Sequence, residues 1–424
     1  MMPFRNLFLL LNTRVALLRI KDTLGGEPVY FHGVQRATDL DEVWEFAEAH
    51  RALGMDTEST GINPYRRGWQ LRTFQIGDAY DSYVVPARYK KFIAGIMSMD
   101  IKWIGHNGTH DIRSTDAWLG EDTGVVCAGE TYIPAHHIDS RKQEDGGVGY
   151  KLKNQAERYV ASDSGKWETA LKKVFKTIEV PIPGETYKSG KRKGLQKVRK
   201  AHLDEGWSLV DPTHPAYIAY AGADPILTYR LWAHYQPAVR AHRELYHFDL
   251  QIQQACDKLT RRAMRLDEQY TRRLDDAYTR KAQAFMEEAE RLGVENINSG
   301  AQIASALIAM GVQLTAKTPT GKYKTDDKVL RAIAAQAAAM RDPEKHIDAP
   351  ESMLYAEELI HCILGAKQMM KRRESYTAQM LTEMDANGRV HPSINTLGAR
   401  TSRMSVSNPP LQQLPTKDRE ADAE

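Results

Sequence analysis

Gly54-Met55-Asp56-Thr57-Glu58 closes a short apolar stretch and sets two carboxylates one residue apart. In a strand, side chains at i and i+2 leave by the same face, so Asp56 and Glu58 point together. Carboxylates gathered this closely repel one another and hold on to their protons unless hard divalent cations keep them ionised. Asp-x-Glu by itself is common, and taken alone a solvated strand end is the better account of it. Its meaning depends on what surrounds it.

Upstream, Val29-Tyr30-Phe31 reads as a strand and Asp41 to Ala47 as a helix. Downstream, Phe74 and Ile76 share one face, Asp78-Ala79-Tyr80-Asp81 is a polar turn, and Tyr83-Val84-Val85 returns as a second strand, so this stretch predicts a hairpin. A helix around Phe92, Ile93 and Ile96, the strand Trp103-Ile104-Gly105 and a helix through Trp118 and Leu119 continue the alternation. The expectation is an α/β domain with a mixed, partly antiparallel sheet flanked by helices. Residues 161–212 carry Pro181, Pro183, Gly184, Gly190 and Gly194 around Lys188, Lys191, Arg192, Lys193, Lys197, Arg199 and Lys200, and read as an inserted basic loop. Such a loop either contacts phosphate through counterion release or is a solvated, mobile connection. Beyond Gln236 the composition turns helical, with runs at 244–292, 301–310 and 354–384. The last residues, with Gly388, Pro392, Gly398, Pro409, Pro410 and Pro415, cannot form one continuous helix.

Two further fragments carry acids on this frame. In Gly105-His106-Asn107-Gly108-Thr109-His110-Asp111 a strand runs into a helix and delivers Asp111 near the helix start. In Tyr220-Ala221-Gly222-Ala223-Asp224 the i and i+4 spacing puts a phenol and a carboxylate on one helix face. Pro225 follows directly, so the helix is expected either to kink there or to begin anew with proline in its first turn. A rival reading takes His106 and His110, with His136 or His137, as zinc ligands, but no glutamate follows the first histidine in the manner of zinc proteases.

Taken in order and spacing, the three fragments resemble the exonuclease motifs Asp-x-Glu, Asn-x-x-x-Asp and Tyr-x-x-x-Asp of the family A DNA polymerases. The resemblance implies a ribonuclease H-like fold and 3′-to-5′ removal of nucleotides from DNA by two Mg²⁺ or Mn²⁺ ions. Asp56, Glu58 and Asp224 would hold the first ion, and Asp56 and Asp111 the second. One cation then activates the attacking water and the other stabilises the departing 3′ oxygen. By the same resemblance Tyr220 orients that water, Ile62 is an apolar wedge against the last bases, and Asn107 is the polar residue ahead of the second-motif aspartate. Ordinary core packing is the plain alternative for Ile62. Glu130-Thr131 stands where many relatives have an aspartate, and no catalytic meaning is attached to it.

The likeness continues beyond the exonuclease motifs. Asn298 to Ile303 and Gly321 to Asp326 resemble the polymerase thumb, and Lys367, Lys371, Arg372, Arg373 and Tyr376 lie along a helix like the thumb helix that contacts duplex. Gly388 to Ser393, Thr401 to Ser405 and Asn408 to Pro415 resemble the entry to the palm. The family usually has glycine where Ser402 stands, and positions matching Arg403 and Gln412 lie near primer-template duplex. The expected organisation is an extension (1–28), an exonuclease domain (29–238), a helical thumb-like domain (239–387) and the start of a palm (388–424). The resemblance stops ahead of the palm aspartates that bind metals for nucleotide addition. The chain is therefore expected to be the N-terminal part of a truncated, split or interrupted polymerase, with no DNA synthesis of its own and a separate palm and fingers polypeptide as a conceivable partner.

The whole composition fits this reading. A length of 424 residues with 42% hydrophobic content supports two or three domains. A net charge of +3 is too small to argue for or against nucleic acid. Three unclustered cysteines point to a reducing cytosol, bacterial if the source is a phage, and exclude a disulfide scaffold. No apolar run is long enough to span a membrane, and Leu7 to Leu11 is too short for a signal core. Two other readings compete: an exoribonuclease of the RNase D kind, and a non-catalytic DNA-binding subunit of a split polymerase.

Overall fold

The strand bearing Asp56 and Glu58 lies inside a seven-stranded sheet in the computed structural model, which describes residues 17–340 and 350–414. In chain order the sheet is built from β1 (Leu18–Leu24), β2 (Glu27–Gly33), β3 (Ala52–Ser59), β4 (Leu71–Gly77), β5 (Asp81–Pro86), β6 (Lys102–Gly105) and β7 (Gly129–Glu130). In space the order is β1-β2-β5-β4-β3-β6-β7. β4 pairs antiparallel with both β3 and β5, while β6 and β7 add parallel, so the sheet is mixed, as the alternating pattern implied.

Helices cover both faces. On one side α1 (Leu40–Glu48), α2 (Lys90–Met97) and α3 (Gly108–Leu119) bury Val43, Ala47, Ile93, Ile96 and Ile112 against Leu53, Met55, Phe74 and Ile76. Alternation along β3 then turns Gly54, Asp56 and Glu58 to the other side. There α4 (Tyr132–Ile138), α5 (Leu152–Tyr159), α6 (Lys166–Phe175) and a long α8 (Pro215–Ala241) close a second core on Phe31, Val84, Trp167, Leu171, Tyr217 and Leu227.

Several expectations are corrected here. The sheet begins at Leu18, not Val29: β1 pairs residue for residue with β2, from Leu18 against Gly33 to Leu24 against Glu27. The segment 17–28 is thus sheet edge, and residues 1–16, with the Leu7 to Leu11 run, lie outside the described residues. Residues 161–212 are not a bare loop. Trp167, Leu171 and Phe175 recur at helical spacing and bury one face of α6, and the basic residues sit on a hairpin of β8 (Glu179–Thr186) and β9 (Gln196–Lys200) followed by α7 (Leu203–Leu209). The helix through Pro225 neither stops nor restarts; α8 runs on with Pro225 and Pro237 inside it.

The chain divides into two compact units, residues 1–263 with 393–406, and 264–392 with 407–424. The division falls after α9 (Arg243–Arg262), because α9 belongs to the first unit: the Glu130 amide donates to the Tyr246 hydroxyl at 2.8 Å, and Arg261 on α9 bridges Asp116 on α3 at 2.6 Å. The expected single run from 244 to 292 is broken at Ala263, whose φ of 60° no helix accommodates. In the second unit, β10 (Met264–Arg265) pairs with β11 (Arg389–Val390), and α10 (Glu268–Arg291), α11 (Gly300–Ala309), α12 (Asp327–Ala339) and α13 (Glu351–Arg372) enclose Leu307, Leu330, Leu359 and Ile363. A π-helical turn at Arg373–Thr377 links α13 to α14 (Ala378–Glu383). Among the described residues no helix is long and apolar enough to cross a membrane.

Candidate metal centre

Gly54 decides how closely α8 approaches the sheet. A Cβ on residue 54 would lie 2.2 Å from the carbonyl oxygen of Pro225, so only glycine lets the helix backbone rest directly on β3. That contact sets Asp224, the residue before Pro225, over the face of β3 that carries Asp56 and Glu58. Pro225 costs the helix one hydrogen bond at this point, but a proline has no amide to leave unpaired against the strand.

One oxygen from each of Asp56, Glu58 and Asp224 comes within 4.8 Å of the others. Asp224 is buried and the two strand carboxylates are half-buried. Removal from water, the largest influence, pushes Asp56 up to about 7, and for Glu58 burial followed by the Asp56 charge gives about 8. Three carboxylates in this geometry are costly when all are ionised, and a hard divalent cation relieves that cost. The donor set is all oxygen, which suits Mg²⁺ or Mn²⁺ better than zinc.

Asp111 enters from the opposite side of the strand, on the first turn of α3. β6 pairs with β3 only as far as Gly54, so beyond that point the β3 edge has no strand beside it. The Asp111 carboxylate fills the gap, accepting from the Thr57 amide at 3.1 Å and the Thr57 hydroxyl at 2.6 Å. Burial, and after it the neighbouring Asp56 charge, raises its pKa well above the ordinary carboxylate range. Asp111 thus adjoins the trio through Thr57.

Tyr220 lies one turn before Asp224 on α8, packed at 5.2 Å against the ring of Trp207. Burial lifts its phenol well above its usual value. Between Tyr220 and the acids stands a residue that the sequence reading missed. Lys153 on α5 pairs with the Asp224 carboxylate and holds its ammonium 4.9 Å from the Tyr220 ring centre. Burial lowers its pKa to about 8. A lone lysine among several gives no local signal; only the packing of α5 against α8 brings it here.

The remaining predicted residues are placed as follows. Ile62 is 71% exposed in the loop after β3, which rules out core packing. Asn107 is exposed and caps α3 with φ of 65°. Lys367, Lys371 and Arg372 lie on α13 and Gln412 in a short helical turn, all in the second unit; Arg403 belongs to the first unit. Ser402 has φ of 56°, a left-handed backbone that favours glycine. Pro415 lies outside the described residues. The histidines are committed elsewhere: the His106 ring nitrogens meet the Thr131 hydroxyl at 2.8 Å and the Tyr150 carbonyl at 2.6 Å, His110 meets the Arg113 guanidinium at 3.2 Å, His136 meets the Ala399 carbonyl at 3.1 Å, and His137 meets Asp249 at 2.6 Å.

A family profile described as 3′-5′ exonuclease matches residues 31–175, and one described as DNA polymerase family A matches 267–423. The first contains Asp56, Glu58, Asp111 and Lys153 but ends before Tyr220 and Asp224. The chain is 27% identical to the DNA polymerase of Mycobacterium phage L5 over 411 residues, covering 95% of this chain and 62% of that protein. It is 26% identical to DNA polymerase I of Chloroflexus aurantiacus, over 68% of this chain and 29% of the relative. The chain therefore spans less than two thirds of the length of these polymerases. Among solved structures, the POL domain of Pol1 from M. smegmatis, in complex with DNA primer-template and dNTP, superposes with a TM-score of 0.55 at 13% identity, over 92% of this chain and 57% of that one. An exonuclease-family region thus stands ahead of a region that matches DNA polymerase family A in one chain.

Proposed function

We propose that the first unit is a proofreading-type 3′-5′ exonuclease that shortens DNA from its 3′ end, using two divalent metal ions, Mg²⁺ or Mn²⁺. The observation that carries this reading is the convergence of Asp56, Glu58 and Asp224 within 4.8 Å, in a chain with both family matches. Asp56, Glu58 and Asp224 would hold one ion, and Asp56 with Asp111 the other. The ions supply an activated water and charge stabilisation for the departing 3′ oxygen.

The protein's own groups do the rest. The phenol of Tyr220, on the same helix face as Asp224, orients the attacking water. Lys153 contributes a positive charge beside Asp224, where the negatively charged phosphodiester enters. Ile62, exposed beyond β3, stacks against the terminal base, and Asn107, exposed at the start of α3, offers a polar contact to the strand being cut. In the second unit Lys367, Lys371 and Arg372, with Gln412, offer contacts to primer-template duplex, as does Arg403 in the first. DNA rather than RNA is the proposed substrate, a choice supported by the polymerase-family match at 267–423 beside the exonuclease region. Three buried free cysteines, Cys127, Cys256 and Cys362, suit the reducing cytosol of a bacterial host.

A 5′-labelled single strand incubated with purified protein and Mg²⁺ should shorten stepwise, and Asp56→Ala with Glu58→Ala should abolish the shortening. Equal digestion by the double variant refutes the assignment. Strong preference for an RNA strand of the same sequence would transfer it to the ribonuclease class.

A further inference from the structure

Glu130 ends β7 with its side chain wholly inside the first unit, at 0% exposure. A carboxylate in such a place must spend its lone pairs on protein donors, and Glu130 does so on the start of α3. Its Oε1 accepts from the Asn107 amide at 2.7 Å and the Tyr132 amide at 2.9 Å. Its Oε2 accepts from the Gly108 amide at 2.8 Å and, at 3.4 Å, from the Gln253 side chain. Asn107 and Gly108 are the cap and first residue of α3, whose opening amides have no partners within the helix. A cap side chain normally serves one of them, but the Asn107 side chain makes no such bond. Glu130 serves instead, from a different strand.

The consequence lies one turn further on. Asn107 is held with φ of 65°, and this left-handed step sets the direction in which α3 leaves β6. Asp111 sits in that first turn, and its carboxylate must arrive at the open edge of β3 to meet Thr57. We infer that Glu130 is a positioning residue for Asp111: by clamping the amides of Asn107 and Gly108 it fixes the start of α3 and so the place where the Asp111 carboxylate offers itself to the second metal ion. The inference rests on the exonuclease reading and extends it to a residue that touches neither substrate nor ion.

Glutamine at 130 keeps size and shape but turns one acceptor oxygen into a donor, which faces the Gly108 or Asn107 amide and cannot serve it. Mn²⁺ binding, followed by electron paramagnetic resonance of the free ion, gives a readout independent of catalysis. The wild type is expected to take up two ions. Glu130→Gln and, as benchmark, Asp111→Asn should both retain the tighter ion and bind the weaker one about 10- to 100-fold less well, the usual effect of losing an outer partner of a metal site. Glu130→Asp, which keeps both oxygens but reaches less far, should fall between wild type and Glu130→Gln, and it keeps the test available if the glutamine variant does not fold. Kinetics should follow, with kcat lowered and KM for the DNA strand unchanged. Folded Glu130→Gln or Glu130→Asp protein that binds both ions like wild type, while Asp111→Asn loses one, overturns the positioning role and leaves the exonuclease reading standing. Undiminished uptake by Asp111→Asn overturns both the role and the metal assignment of Asp111.

Discussion

Thr57 gives both its backbone amide and its hydroxyl to one carboxylate oxygen of Asp111, at 3.1 and 2.6 Å. The residue between the two strand carboxylates therefore anchors the third predicted acid. Removing the hydroxyl with Thr57→Val should lower exonuclease kcat by about 10-fold or more, as loss of an outer hydrogen bond at a metal site does, while Thr57→Ser restores most of it. Single-turnover digestion of a labelled strand measures both; a valine variant as fast as wild type would mean that the hydroxyl does not matter.

The close seating of α8 makes a sharper demand. Gly54→Ala places a methyl 2.2 Å from the Pro225 carbonyl oxygen, and backbone on both sides leaves nothing flexible to yield. The variant should lose about 1–3 kcal/mol of stability, the common cost of overpacking, and most of its nuclease activity, because α8 can relieve the clash only by carrying Asp224 away from β3. Thermal unfolding and strand digestion check the two effects together. Full activity in a destabilised protein would show that Asp224 need not approach so closely.

The buried acids also predict a pH dependence. Asp56 is raised from 3.8 to about 7 and Glu58 from 4.5 to about 8, burial being the main cause in each. Between the ordinary and raised values the folded protein binds more protons than the unfolded chain, so stability falls as pH rises across that range. In a chelator the melting temperature should drop from about pH 4 to about pH 8, and saturating Mn²⁺ should remove most of that slope by binding the folded state. A profile in chelator that Asp56→Asn with Glu58→Gln leaves unchanged contradicts the burial of these groups, since His106 and His110, lowered by burial, act in the opposite sense and do not change in that variant.

Ile62 tests the proposed contact with the strand end. At 71% exposure it supports little packing, so Ile62→Ala should change stability by no more than about 0.5 kcal/mol. It should nevertheless weaken capture of the 3′ end, read as a raised KM with kcat lowered less. Unchanged kinetics would leave Ile62 without a role in binding.

Much of this was legible in the sequence because it rests on local periodicity. The period-two pattern of β3, the Phe74 to Val85 hairpin and the four-residue spacing of Tyr220 and Asp224 each state their structure within a few residues. What the sequence concealed is set by distant partners. Lys153 and Glu130 look like any lysine and glutamate, and their burial beside Asp224 and beneath Asn107 follows from tertiary packing alone. Pro225 signals a kink or a restart, yet α8 runs on through it with its backbone seated on Gly54. The order in 161–212 was available in the spacing of Trp167, Leu171 and Phe175, but the prolines and glycines of the hairpin beyond drew the reading towards a loop. The discontinuous first unit, with 393–406 returning to it, has no signature in composition at all.

The proposed metal centre gathers the carboxylates of β3, α3 and α8 around divalent cations. Anomalous diffraction at the manganese edge from Mn²⁺-soaked crystals measures this directly. One peak is expected bounded by Asp56, Glu58 and Asp224 and a second beside Asp56 and Asp111. Manganese bound elsewhere, with those four side chains free of metal, would contradict it.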